Sequence, residues 1–402
     1  MISIHGRFEG KTVNKGKFVF AQLVSLVYRY EFDKCVSRYN GDYKVQDFSC
    51  WNQFLTMIFG QLTHRESIRD IITCLQAHQN KVYHLGISKV VAHSTLTRAN
   101  ENRDWRIYAD FATYLINLVR PLYSGDNDFD LDLDNPVYAL DSTTIDLCLS
   151  VFKWAKFRKA KAAVKLHTLL DLKTEIPVFI HISDGKMHDV NALDMIEYEN
   201  GAFYIMDKGY IDFGRFYKIT LLSAFFVTRA KDNMSFRRIY SSKVEKTTGL
   251  RCDQTVKLTG YKSSKLYPLS LRRIKFYDAD NRRTLVFITN NFEVDAMTIA
   301  LLYKHRWQIE LFFKWIKQHL RIKTFWGTSS NAVKTQIWIA VCTYLLVAYA
   351  KKQLKSDSSL YEITQIISVS AFDKTPLNEL LTNFSKNNET KEFCNQLILF
   401  DL

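Results

Sequence analysis

The chain has 402 residues, enough for two or three domains of ordinary size. With 47% hydrophobic and 14% aromatic residues it can bury substantial cores, which excludes a mainly disordered polymer. Lysine and arginine number 55 against 41 acidic residues, and the resulting charge of +14 favours polyanionic partners without choosing among DNA, RNA and an anionic membrane surface.

The seven cysteines, at 35, 50, 74, 148, 252, 342 and 394, include no C-x-x-C pair. That spacing argues against a disulfide framework or zinc ribbon and predicts reduced, buried thiols. Met1 to Gly10 is polar and mixed in charge, unlike a secretory signal. The most apolar run, Ile337 to Ala350, is 14 residues long between Lys334 and Lys351, too short for a membrane span of about 18 or more. It reads as a core helix, and the expected location is the cytoplasm, with no membrane partner.

The first 125 residues read as an all-helical domain. Phe18, Val19, Leu23, Leu26 and Val27 share one apolar helical face, and Trp51, Phe54, Leu55 and Ile58 another. Thr63 to Glu66 fits a capping box before Ile68, Ile71, Ile72 and Leu75. Ser94 then fits the cap of a polar helix through Arg98, Asn102 and Arg103, which would suit a major groove or serve as ordinary solvated surface.

Ser124 to Asn135, with its alternating aspartates and Pro136 behind it, reads as a linker. The pattern then changes to short apolar runs: Val137 to Leu140, Ala162 to Leu170, Val178 to Ile182 and Ala202 to Met206, with a helix expected over Val190 to Tyr198. Such an order predicts an α/β domain over 136–355. Arg229 to Lys275 carries thirteen basic residues and three acids with β-like texture, and predicts a basic β-rich insertion at about 229–285. Helix is expected from Thr298 through Lys351, and Thr375-Pro376 reads as a cap and first-turn proline of a C-terminal helical region, 356–402.

Asp141 and Asp207 each follow an apolar run, where α/β sheets present functional side chains. Side by side they would share divalent cations, although aspartate also ends strands simply as a turn former. Gly209, two residues on, would permit a tight turn or a close ligand. The segment Tyr303 to Lys317 is more informative. At about 100° per residue, Arg306, Glu310, Lys314 and Lys317 all fall within roughly 60° of Tyr303 around the helix, while Ile309, Phe312 and Ile316 lie roughly opposite. An acid ringed by cations suits a metal-binding carboxylate beside phosphate-holding groups. A surface helix with an Arg306–Glu310 pair satisfies the same spacing.

The Y-x2-R-x3-E-x6-K pattern of Tyr303, Arg306, Glu310 and Lys317 resembles the signature of the IS-four family of bacterial insertion-sequence transposases. The segments Tyr138 to Thr144, Lys165 to Leu172 and Met206 to Tyr210 agree with it. The resemblance runs from the N-terminal helices almost to the C-terminus. It implies a ribonuclease-H-like catalytic core interrupted by the β insertion, with Asp141, Asp207 and Glu310 binding two Mg²⁺ (or Mn²⁺) ions. The implied reaction is in-line cleavage of DNA ends followed by strand transfer, cut-and-paste through a hairpin on the element's end. Implied partners are the terminal inverted repeats, target DNA and a second copy of the chain, with residues 356–402 a candidate dimer surface. Tyr303, Arg306, Lys314 and Lys317 would grip phosphates, and Trp307 would stack on an extruded base or else pack in a core. The acid-free run Lys153, Lys156, Arg158, Lys159, Lys161 and Lys165 would meet DNA phosphates beside Asp141, or solvent, as would Arg98 and Arg103. His167, His188 and Asp189 resemble family positions without an assignable step. The competing readings are a catalytically silent end-binding protein of the same fold and another ribonuclease-H-like nuclease.

Overall fold

Short polar caps start many of the helices. Ser49, Ser67, Asp212, Ser329 and Ser359 accept a backbone N–H from three residues on, and Asp295 accepts one from two residues on. The computed structural model describes residues 16–125, 129, 131–158, 161–279, 281–320, 322 and 324–382. The stretches expected at Met1 to Gly10, Lys159, Asn383 to Thr390 and Leu397 to Phe400 lie outside them.

Seven helices come first: α1 (Val19–Val24), α2 (Arg29–Arg38), α3 (Cys50–Leu62), α4 (Ile68–Ala77), α5 (Gln79–Val82), α6 (His93–Asn102) and α7 (Arg106–Tyr123). Next come β1 (Val137–Leu147), β2 (Lys156–Arg158), β3 (Lys161–Asp171), β4 (Pro177–Asp184), β5 (Phe203–Met206), α8 (Phe213–Leu221) and β6 (Phe225–Arg229). The insertion holds β7 (Phe236–Ser242), β8 (Leu250–Leu258), α9 (Tyr261–Leu266) and β9 (Leu271–Asp278), and β10 (Arg283–Thr289) returns from it. The chain then runs through α10 (Ala296–His305), α11 (Trp307–His319), α12 (Ser330–Gln353) and α13 (Leu360–Ser370).

Two compact units result. Of the described residues, those within 1–122 and 315–402 form a helical unit, and those within 123–314 form an α/β unit. This departs from the boundaries at 136–355 and 356–402. Helix α12 is buried on nearly every face and packs with α3, α6 and α13, so it completes the N-terminal helices rather than the α/β domain. It is long and apolar enough to cross a membrane by length and composition, and it serves as the core of the helical unit. α3 is buried at every residue, polar ones such as Asn52 and Gln53 included, which goes beyond the single apolar face its spacing predicts.

All strands of the α/β unit belong to one ten-stranded sheet, ordered β2-β3-β1-β5-β6-β10-β9-β8-β7, with β4 on the other side of β3. β3 is antiparallel to both β1 and β4, whereas β1, β5 and β6 run parallel. The insertion is therefore an antiparallel extension of the core sheet through β9 and β10, not a separate module. The tight turn into β8 needs Gly249: its φ is +92°, and a Cβ there would sit 2.7 Å from the Tyr277 carbonyl.

Several local expectations give way to tertiary structure. Thr63 ends α3 by bonding back to the Phe59 carbonyl, so Ser67 with Asp70 caps α4. α6 begins at His93 without a side-chain cap. The helix expected over Val190 to Tyr198 is a 3₁₀ segment, Asp189–Met195; the chain is extended again by Ile196 to enter β5. β1 does not stop before Asp141 but continues to Leu147, because β3 pairs with it throughout. The long C-terminal helix breaks after His305 and again between His319 and Ser330, where Ser329 caps α12. Six cysteines are free among the described residues. Cys35, Cys50 and Cys342 are buried, whereas Cys148 is exposed.

Candidate active site

The parallel pairing of β1 with β5 ends at Leu140 opposite Met206. One residue further lie Asp141 and Asp207, so the sheet sets the two carboxylates in one row. β5 pairs with β6 as far as Met206 opposite Thr228, which puts Arg229 next in the same row. Alternation along a strand sends Leu140, Tyr204 and Met206 into the apolar cluster on one face of the sheet, and the adjacent aspartates to the other.

Helices α10 and α11 contribute the rest. Tyr303 donates its hydroxyl to Asp207 Oδ1 at 3.2 Å, and Arg229 donates Nη2 to the same oxygen at 2.7 Å. Arg306, between the two helices, is a bridge: Nη1 donates to Asp141 Oδ2 at 2.9 Å and Nη2 to Glu310 Oε1 at 2.6 Å. Its side chain is only 13% exposed. The Tyr303 ring lies near both guanidinium groups, 5.8 Å from that of Arg229 and 5.7 Å from that of Arg306. Ile309, Phe312 and Ile316 are buried, as the helical spacing predicts; Tyr303 is buried as well, so it does not share an exposed face with Lys314.

Burial raises the Asp141 pKa above the ordinary carboxylate value, and the charges of Glu310 and Asp207 push it the same way against Arg306. Burial also pulls the Asp207 pKa upward, but there the hydrogen bond and charge of Arg229 win and the net shift is downward. Asp141 is thus within electrostatic reach of both other carboxylates. Their oxygen-only chemistry fits Mg²⁺ or Mn²⁺. Among the described residues, however, no three acidic, histidine or cysteine side chains stand close enough to enclose an ion, because Arg306 lies between Asp141 and Glu310. The residue types suit a hard cation; the conformation seats an internal one. Gly209 has no left-handed backbone, and the nearest atom to an added Cβ would be Asp207 Oδ2 at 4.0 Å, so it leaves approach space rather than meeting a turn requirement.

The opposite face of β1 carries a polar network. Ser142 cross-pairs with His167 of β3, and Asp189 Oδ1 accepts Ser142 Oγ at 2.7 Å and Lys165 Nζ at 3.0 Å. Lys165 also donates to the Met187 carbonyl, so it is spent on structure rather than on the basic run beside Asp141. His167 bonds Ser183 through Nε2 at 2.9 Å, and burial depresses its pKa to about 4, so the imidazole is neutral.

Other candidates scatter. Trp307 is 58% exposed, which removes the core reading. It lines a cavity of about 920 Å³ with Tyr277, Arg251, Arg283 and Lys304. Lys153, Lys156, Lys161, Lys314 and Arg98 are exposed. Lys317 is half-buried in the last turn of α11. Arg103 instead turns inward, donating to Gln53 at 2.9 Å and to the Phe48 carbonyl. β2 places the Arg158 backbone beside β3. Arg229 was missed by motif reading, yet its signal matches that of the two aspartates: an apolar strand, Phe225 to Thr228, ending in a charge.

Residues 132–346 match the model of the transposase DDE domain, and residues 15–88 match a domain of unknown function. A Sinorhizobium fredii protein named as a transposase is 36% identical over 239 residues, 58% of this chain and 66% of the relative. A Geobacillus stearothermophilus protein, named a probable transposase for insertion sequence element IS5377, is 29% identical over 57% of this chain and 60% of its own length. A Synechocystis protein with a transposase name, for element IS4SA, is 25% identical over 63% of this chain and 70% of its own. The match thus spans 60 to 66% of the first two relatives. Asp141, Asp207, Arg229, Tyr303, Arg306 and Glu310 all fall inside the matched segment, and on that match the chain belongs to the transposase DDE domain family.

Proposed function

We propose that this chain is the transposase of a bacterial insertion sequence of the IS-four type, cutting its element's ends and joining them to target DNA. The observation that carries the reading is the row of Asp141 and Asp207 with Glu310 tied to it through Arg306, inside the family-matched segment. The order β4-β3-β1-β5-β6, antiparallel in its first three strands and parallel in its last two, supports a ribonuclease-H-like core. Residues 1–125 would supply DNA binding.

Asp141, Asp207 and Glu310 would hold Mg²⁺ or Mn²⁺, two ions by the family resemblance. Bound ions of this kind activate an attacking oxygen and stabilise a leaving one in phosphoryl transfer. The chain's own groups do the rest. Arg229, Arg306 and Tyr303 orient the scissile phosphate at the carboxylate row, with Lys314 and Lys317 gripping phosphates further along α11. Trp307, exposed at the start of α11, stacks on an extruded base, which fits a hairpin route. Lys153, Lys156 and Arg98, with Arg158 and Lys159 as further candidates, meet the DNA backbone. Two ends held together require two copies on DNA, acting on the bacterial chromosome in the cytoplasm.

The experiment is cleavage of a labelled duplex carrying the element's end by the full chain in Mg²⁺, with Glu310→Gln alongside. Boundary cleavage, reduced about a thousandfold or more in the variant, is expected for a ligand of the reacting centre. Binding without cleavage by the wild type, with Mn²⁺ also tried, would replace this reading with a catalytically silent end-binding protein.

A further inference from the structure

Resting on the metal-dependent reading above, we propose that Arg306 is the resident counter-ion of the candidate metal site, and that DNA phosphate opens the site by drawing this guanidinium off its carboxylates. Asp141 Oδ2 and Glu310 Oε1, which Arg306 holds at 2.9 and 2.6 Å, are oxygens a bound cation would need. A guanidinium held between these oxygens crowds the approach to them and repels a second cation beside it, so the two compete.

Charge counting points the same way. Three carboxylates against the guanidinium groups of Arg229 and Arg306 leave one net negative charge at the site. In a partly buried setting that is little to hold divalent cations, because unbalanced charge is costly where water is excluded. Displacing Arg306 onto a phosphate restores two carboxylates to the ion and adds the negative charge of the phosphate beside it.

The arginines are built for such a transfer. The Nε atoms of both Arg306 and Arg229 are buried without an acceptor, so each fork leaves a donor unused. A phosphate offers the paired oxygens that this planar fork matches. Arg229 pairs with one carboxylate, Asp207, whereas Arg306 links two, so release of Arg306 is the step that frees the most ligands. By linkage, DNA and metal must strengthen one another's binding by the same factor. A transposase so arranged would load its metal fully only with an end in place, which limits stray nicking.

The test is Mn²⁺ titration of the full chain by calorimetry, without DNA and with a saturating pre-cleaved duplex carrying the element's end. Without DNA, Arg306→Gln should bind Mn²⁺ on the order of tenfold more tightly than the wild type. Arg306→Lys, which keeps the charge but loses the two-pronged bridge, should also gain. Lys208→Gln, which removes an exposed charge next to Asp207 whose side chain bonds to none of the carboxylates, should change little. With DNA, the wild type should approach the affinity of Arg306→Gln, and the variant should gain much less. Equal Mn²⁺ affinity in wild type and Arg306→Gln, or a gain in Lys208→Gln as large as in Arg306→Gln, overturns the proposal while leaving the metal site in place. Unchanged wild-type affinity on adding DNA overturns the phosphate step. No Mn²⁺ bound by any protein, with or without DNA, overturns the proposal together with the metal-dependent reading. Thermal unfolding of each variant guards against misfolding as the cause.

Discussion

The core and insertion strands of the α/β unit share one sheet but are held in different ways. β5 is buried at every position, and β6 at its three central ones, with Phe226 stacked 4.2 Å from Phe216 of α8. β7, at the far edge, is exposed along nearly its whole length, including Ile239 and Tyr240. Between them, Val256 and Leu258 of β8 and Leu271 of β9 reach the same apolar cluster, and an ion pair pins this part of the insertion further. Arg272 donates to both oxygens of Asp253, at 2.9 and 2.8 Å, and to the Val294 carbonyl just ahead of α10. The strands of the carboxylate row thus rest on apolar packing at every central position, whereas the insertion runs from that packed core to an exposed edge and adds a buried Arg272 that ties Asp253 to the Val294 carbonyl.

The largest effect should come from the packed side. Phe226→Ala is expected to cost about 3–5 kcal/mol in urea unfolding, against less than about 0.5 kcal/mol for Ile239→Ala on β7. Similar losses would mean that the edge strand is covered and the comparison is wrong. Next is the pin. Asp253→Asn strands a buried guanidinium and should destabilise by roughly 3 kcal/mol, while the double change Asp253→Leu, Arg272→Met should restore much of it. A double variant no better than the single would show that Val294, not Asp253, is what Arg272 secures.

A third test exploits the back of the core. His167 has a folded pKa of about 4, below its unfolded value of 6.5, so its contribution to stability is complete above pH 6.5 and is lost as pH falls toward 4. At pH 5 the loss should be roughly 2 kcal/mol, and His167→Asn should flatten that part of the profile even if it is less stable at pH 7. An unchanged slope in the variant would assign the pH dependence to other groups. The smallest effect belongs to the exposed basic residues. Lys153→Gln and Lys156→Gln should each reduce the salt dependence of DNA binding by about one counterion, leaving sequence preference unaltered. A change in preference instead would place these side chains at base edges.

Much of the candidate site was legible because its signals are local. The apolar run ending in Asp207 marks a strand end, the one ending in Asp141 marks the last parallel pairing of β1 with β5, and the spacing of Ile309, Phe312 and Ile316 marks the buried face of a helix. Arg229 carried the same strand-end signal but lies in no motif. Arg103 and Lys165 looked like DNA-facing cations because composition does not say which way a side chain points.

By itself the sequence determined the residue types of the site, the helical or strand character of most segments, the basic charge and the order in which the candidate groups appear. These follow from hydrophobic periodicity and side-chain chemistry, which act over a few residues. Tertiary structure alone decided that Asp141, Asp207 and Arg229 form one row, that Arg306 bridges two carboxylates, and that α12 joins the N-terminal helices. Strand register and helix packing depend on partners distant in the chain, so no local pattern specifies them.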